Sequence, residues 1–345
     1  MRNTRYRQPA WYRYVAGFAG PKPVVVVENP YGGIVPELAA DLKAGRADDR
    51  FRLSLYEAAA LGANMSVPYG AWLGSIQQDA FYPPHDLCVE IQNFLADHEA
   101  LFSRRTWNDV ALVYCVESEF QRTARRGQVA NDRRNAALGG ESLFWHVSNA
   151  LCDARQPYDV LLFPEGTLRP DSLAVADLAQ YRAVILPDCA FLTPAQADLL
   201  LEALAAGKRL LVLGELGANL LNETRRRILD HAGTDRLDSR RLFQASDIPG
   251  EPQVRLSPDA DMAINVQRVA DGAAIHLIHY GFDSEHGRAP ILPELTLDIR
   301  LPQQFTVCSL HTPSGDGSAE LTSDGDRHLL RLRDVPLYSM VLLEP

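Results

Sequence analysis

The chain has 345 residues, which at roughly 150 residues per domain is enough for two or three domains and excludes a small disulfide-stapled scaffold. Hydrophobic residues make up 46% and charged residues 23%, ordinary globular usage that excludes wholesale disorder and a fibrous protein. The 34 Lys and Arg against 44 Asp and Glu leave a formal charge of −10. Such a molecule repels phosphate backbones and anionic lipid surfaces, so neither nucleic acid nor a membrane is an expected partner.

Residues 11–19 form an aromatic, helix-like stretch that ends in Gly-Pro punctuation. The β-branched run Val24-Val25-Val26-Val27 follows and predicts a buried strand. It stops at Glu28-Asn29-Pro30-Tyr31-Gly32-Gly33, where Pro and paired Gly force a loop. A helix resumes around Phe51–Ala58 and ends at Gly62. A short extended segment, Ala63–Val67, leads into the polar and aromatic loop Pro68-Tyr69-Gly70-Ala71-Trp72. Residues 84–103 predict one amphipathic helix from the spacing of Leu87, Ile91, Phe94, Leu95 and Leu101.

From residue 108 apolar strands at Val110–Val116, Val160–Phe163, Ala183–Leu186 and Leu210–Leu213 alternate with helical stretches, the pattern of a parallel, helix-covered sheet. The helix that starts at Pro194 has Thr193 as N-cap and Gly207 at its end. Arg225-Arg226-Arg227, with Arg236, Arg240 and Arg241, reads as a solvated helix face rather than a polyanion site, given the acidic whole. Beyond about residue 250, short alternating segments (Ala274–His279, Leu295–Leu301, Phe305–Leu310, Tyr338–Leu343) predict a small antiparallel β domain. Its residues fit either sugar binding or bracing of the domain before it.

The five cysteines, Cys88, Cys115, Cys152, Cys189 and Cys308, are widely spaced and odd in number, with no CxxC pair and no zinc spacing, so they read as reduced thiols and no metal is expected. There is no apolar run of membrane-span length, and the basic start lacks a signal-peptide cleavage pattern, so a cytoplasmic address is expected. No phosphate loop or dinucleotide fingerprint is present, and no cofactor is expected.

Glu28 is the first candidate for chemistry, because it follows the valine strand and α/β folds place their sites at that edge. A capping or loop-anchoring glutamate is the alternative. Tyr69 and Trp72 could stack on sugar rings while Asn29, Asn64 and Glu28 bond to hydroxyls, or could simply plug the end of the sheet. Glu57 lies mid-helix and is expected to face solvent or pair locally. Glu117, Glu165, Asp188 and Glu215 each follow a predicted parallel strand, so they gather along one sheet edge. Either they bind a cation or complete a neighbouring subunit's pocket there, or they are helix-start charges facing water. Cys189 follows a strand but lacks flanking glycines and a downstream His-x-Glu, which disfavours it as a nucleophile. His276 and His279 are expected to share a solvent face of their strand.

The segments KPVVVVENPYGG, YEAAALGANMSVPYGAWLG, EIQNFLADHEALF and DVALVYCVES, in this order and spacing, resemble the C-terminal portion of glycoside hydrolases related to family 42 β-galactosidases. The resemblance implies an α/β fold throughout the first two parts: the last strands of an (α/β)8 barrel, an amidotransferase-like (flavodoxin-like) domain associated with trimerisation, and a β-sandwich. The expected boundaries are 1–83, 84–250 and 251–345. It further implies that Val24–Val27 is the seventh barrel strand, that Glu28 is the nucleophile, and that Tyr69 and Trp72 border the sugar subsite. A barrel needs about 250 residues, so strands one to six, and with them the acid/base carboxylate of a retaining mechanism, are not expected in this chain. The expected partners are a carbohydrate and further copies of the chain. The alternative is a non-catalytic assembly or carbohydrate-binding protein derived from that family.

Overall fold

The computed structural model describes residues 7–26, 41, 44–65, 84–129, 142–238, 241–283 and 287–345. The chain divides into two units, one of residues 1–107 with 253–345 and the other of residues 108–252.

In the first unit, helix α1 (Pro9–Ala19) has Pro at its first position, where the missing N–H costs nothing. Strand β1 (Val25–Val26) pairs in parallel with β2 (Asn64–Met65), matching Val25 to Asn64 and Val26 to Met65. Between them in sequence lies α2 (Asp48–Ala60), with Asp48 and Asp49 in its first turn, where the helix dipole favours them. Val24 and Val26 are buried with Tyr12, Ala58 and Leu61, whereas Val25 is 60% exposed. Val24 to Val26 are therefore buried on one face only. Helix α3 (His85–Asp97) buries Leu87, Cys88, Ile91 and Phe94 along one stripe, and a single 3-10 turn follows at Glu99–Leu101.

The second unit alternates β3 (Val110–Cys115), α4 (Val116–Val129), α5 (Leu143–Asp153), β4 (Asp159–Phe163), β5 (Ala183–Pro187), α6 (Pro194–Ala205), β6 (Arg209–Leu213), α7 (Asn222–Leu229) and β7 (Thr234–Leu237). The five strands are all parallel and lie in the order β4-β3-β5-β6-β7. Numbered within the unit this is 2-1-3-4-5, the doubly wound order of flavodoxin-like sheets, with its reversal between β3 and β5. All five residues of β5 are buried, as a strand covered on both faces requires. One face carries Leu199, Leu200, Ala203, Leu204 and Ile228 from α6 and α7, and α5 contacts β3 and β5.

The remaining strands return to the first unit: β8 (Val254–Ser257), β9 (Met262–Val269), β10 (Gly272–His279), β11 (Leu292–Arg300), β12 (Val307–His311), β13 (Ser318–Asp324), β14 (Arg327–Val335) and β15 (Tyr338–Glu344). They form two antiparallel four-stranded sheets, β12-β15-β10-β9 and β13-β14-β11-β8. Met262, Ile264, Val266, Ala273, Ile275 and Leu277 of the first sheet pack with Leu295, Leu297, Leu330 and Leu332 of the second, making a sandwich core. The opposite face of β9, β10 and β15 in the first sheet is covered as well. Ala263, Ala274, Ile278, Tyr338 and Met340 pack with Phe51, Tyr56, Ile91 and Phe94 of α2 and α3, so every residue of β10 is buried.

Helix α3 packs in the core of the first unit together with the C-terminal strands. Polar bonds reinforce the join. Asn265 Nδ2 (2.7 Å) and Gln267 Nε2 (2.9 Å) both donate to the Ala60 carbonyl at the end of α2, a group that a helix C-terminus leaves unpaired. Buried Arg13 of α1 donates to the Ile264 carbonyl (2.7 Å) and to Asn265 Oδ1 (3.2 Å). His276 and His279, three residues apart on one strand, project to opposite faces, and both are buried rather than solvent-facing.

Candidate functional site

Glu28, Asn29, Tyr69 and Trp72 lie outside the described residues. The described part of that region is the parallel pair itself. The Asn64 amide donates to the Val24 carbonyl at 2.8 Å, which fixes the strand register, and the Asn64 side chain is exposed.

Glu117, Glu165, Asp188 and Glu215 each lie just beyond a strand end; the described contacts of Glu117 and Glu165 are local, whereas Asp188 reaches the next strand end. Glu117 Oε1 accepts from Gln121 Nε2 one turn along α4 (2.7 Å). Glu165 accepts from the amides of Arg169 (2.9 Å) and Leu168, and these backbone donors, Arg169 first, hold its carboxyl below the ordinary glutamate range. Asp188 Oδ1 accepts from the Glu215 amide at 3.1 Å, and Glu215 itself is exposed. Among the described residues no three His, Cys, Asp or Glu side chains are grouped to hold a metal ion.

Two groups carry more physical chemistry than the sequence signals. The first is Glu57, which neither faces solvent nor pairs locally. It is 3% exposed, and its Oε1 accepts from the Gln8 amide (2.9 Å) and from the hydroxyl of Tyr280. Burial pushes its carboxyl up to about 7, against those two hydrogen bonds and the charge of Arg7. Arg7 in turn pairs with Asp261 at 2.8 Å and lies over the Tyr280 ring. The carboxyl thus ties the start of α1 and the end of β10 to α2. Nothing in Leu55-Tyr56-Glu57-Ala58 could reveal this, because Tyr280 is 223 residues away.

The second group is a pair of free thiols, Cys115 at the end of β3 and Cys189 just past β5. Ser118 Oγ donates to Cys115 Sγ (3.1 Å), and as a thiol Cys115 donates to the Phe191 carbonyl (3.0 Å). The Cys189 thiol, followed by Ser118, draws the Cys115 thiol below its ordinary range against its burial, whereas burial pushes Cys189 well up.

No protein-family model and no curated protein matches the sequence. Solved structures do match. Across 97% of its length the chain is similar to α-L-fucosidase isoenzyme 2 from Paenibacillus thiaminolyticus, with a TM-score of 0.61 at 14% identity. Across 87% it is similar to a β-galactosidase from Bacillus circulans sp. alkalophilus, with a TM-score of 0.50 at 12% identity. The chain has a glycoside hydrolase-like fold. It spans 62% of the fucosidase chain and 52% of the galactosidase chain. Among the described residues no helix is long and apolar enough to cross a membrane.

Proposed function

We propose that the chain corresponds to the C-terminal portion of a retaining glycosidase, with Glu28 as nucleophile and Asn29, Asn64, Tyr69 and Trp72 bordering the sugar. The observation that carries this reading is the parallel pairing of β1 with β2 around the intervening helix α2. A strand, a crossover helix and a neighbouring parallel strand are the repeating unit of a barrel, and the likeness to the fucosidase covers 97% of this chain. Glu28 follows β1 in sequence by two residues, the position from which a barrel strand presents a group to its C-terminal face.

In the mechanism this implies, Glu28 attacks the anomeric carbon while an acid, supplied by a preceding barrel segment, protonates the leaving oxygen. Water then releases the sugar with that same group acting as base, which requires the two carboxyls about 5–5.5 Å apart. The likeness to the fucosidase is the more complete of the two, so aryl α-L-fucosides and aryl β-D-galactosides are the first substrates to test. The test uses this chain assembled with a segment carrying the six preceding barrel strands. The expected result is hydrolysis with retention, and a fall in kcat of about 10³-fold or more for Glu28→Gln. An assembled enzyme indifferent to that change excludes Glu28. Sugar binding without hydrolysis would instead mark a carbohydrate-binding protein. The same reading implies a homotrimer, and a monomer mass by light scattering at micromolar concentration counts against it.

A further inference from the structure

Glu57 is a carboxyl held inside the first unit without a counter-ion of its own. It is 3% exposed, and its Oε1 accepts from the Gln8 amide (2.9 Å) and from the Tyr280 hydroxyl just past β10. Gln8 is the N-cap of α1. The third helical position, where a capping box places a Glu or Gln that reaches back to the N-cap amide, is Trp11 and has no acceptor. A carboxyl from α2 therefore takes the role that α1 leaves open.

The cation that acts on Glu57 is Arg7, and Arg7 is engaged elsewhere. It pairs with Asp261 at 2.8 Å and lies 5.1 Å from the centre of the Tyr280 ring. The other ionisable groups on the elements packed here are committed or neutral. Arg13 of α1 donates to the Ile264 carbonyl and Asn265, and Arg50 and Arg52 of α2 pair with Asp41, Asp49 and Glu90. Burial keeps the His279 imidazole at the end of β10 below its ordinary range, so it is neutral at pH 7. An ionised Glu57 is thus a buried anion that must share its cation with Asp261, and admitting water relieves that cost. The segment placed to yield is Arg7–Gln8 with the first turn of α1. One turn further on, Tyr12 is 1% exposed among Val24, Val26, Ala58 and Leu61 behind β1.

We propose that Glu57, Tyr280 and Gln8 form a proton-gated latch: protonated Glu57 closes the first turn of α1 onto α2 and the end of β10, and loss of that proton to water loosens the turn while the rest of the unit stays folded. Because the Tyr12 amide donates to the Gln8 carbonyl at 3.1 Å, the latch acts on the helix that backs β1.

The test measures amide hydrogen exchange of the full chain from pH 5 to pH 9 by mass spectrometry with residue-level fragmentation, each rate divided by that of the unfolded chain at the same pH. Burial pushes the Glu57 carboxyl up from 4.5 to about 7 in the closed latch. Protection of the Gln8 and Tyr12 amides should therefore fall about tenfold per pH unit up to about pH 7 and level off above it. At every pH these two amides should exchange at least about tenfold faster than those of β10 and β15, the mark of an opening smaller than global unfolding. Glu57→Gln keeps the acceptor but cannot ionise, so its protection should not change with pH. In Tyr280→Phe the plateau should begin at a higher pH, because the lost hydroxyl favours the anion. Protection that is independent of pH in the parent, a slope that persists in Glu57→Gln, or exchange no faster than in β10 and β15 would each overturn the proposal. Where Glu57→Gln fails to fold, the Tyr280→Phe profile decides, and an unshifted plateau assigns the titration to another group and sinks the latch.

Discussion

Burial drives the Glu57 carboxyl up from 4.5 to about 7 and the His276 imidazole down from 6.5 to about 4. The His276 ring is fully paired: Nε2 donates to the Leu101 carbonyl (3.1 Å), so Nδ1 accepts from the Tyr338 hydroxyl (2.7 Å). For Glu57 the folded state holds its proton more tightly than the unfolded state. Its contribution to stability is therefore complete below pH 4.5 and lost as pH rises through about 7. For His276 the contribution is complete above pH 6.5 and lost as pH falls through about 4. Each shift corresponds to about 3 kcal/mol, and between pH 4.5 and 6.5 the two slopes oppose each other. Glu57→Gln keeps an acceptor for Gln8 and Tyr280 but cannot ionise. Relative to the parent it should gain up to about 3 kcal/mol between pH 4 and pH 8 in urea denaturation; a difference that stays constant across that range would refute the assignment. Tyr338→Phe keeps the ring stacked on Tyr56 but leaves the His276 Nδ1 buried and unpaired. It should cost about 1–3 kcal/mol at pH 7, and an unchanged urea midpoint would show that this hydrogen bond contributes nothing.

Helix α6 shows an element specified almost wholly by its own sequence. Thr193 Oγ1 accepts from the Gln196 amide and Gln196 Oε1 from the Thr193 amide, both at 3.1 Å, with Pro194 next and Gly207 at φ 81° beyond the end. Thr193 Oγ1 also donates to Asp171 Oδ2 at 2.6 Å. Thr193→Ala should therefore cost about 1–2 kcal/mol by urea denaturation, with Thr193→Ser recovering most of it; a loss that serine does not recover would assign the effect to the methyl group. These caps were legible because every signal lies within a few residues. So were the parallel strands β3 to β6, whose apolar runs announce burial on both faces. The apolar stripe of α3 was legible too, but its partner was not: Tyr338 and Met340 lie far along the chain. The burial of Glu57 and His276 is illegible in the sequence for the same reason, since their partners come from other elements. The mildly polar edge strands β7 and β13 lacked periodicity strong enough to announce them.

At the scale of the molecule, the α/β unit is an insertion in the first unit's chain. The chain leaves the first unit at Trp107 and re-enters at Gln253, and there the buried Gln253 Nε2 donates to the Trp107 carbonyl at 2.7 Å. The exit and entry points are adjacent, so the first unit's own contacts close the break and a short linker could replace the insertion. Loop closure becomes easier as the loop shortens, by about 0.6 kcal/mol per halving, so chain connectivity does not oppose such a deletion. The inserted unit has its own core, running from Ala111 and Val113 through Leu186 and Leu200 to Ile228, and a complete five-stranded sheet. Residues 108–252 expressed alone should unfold in one cooperative transition with native near-ultraviolet circular dichroism. The first unit with residues 107 and 253 joined by a short Gly-Ser linker should keep both sandwich sheets and the helices that cover them. If the excised α/β unit instead lacks near-ultraviolet signal and melts without cooperativity, its fold depends on the rest of the chain. The two units would then be one thermodynamic body despite their separate cores.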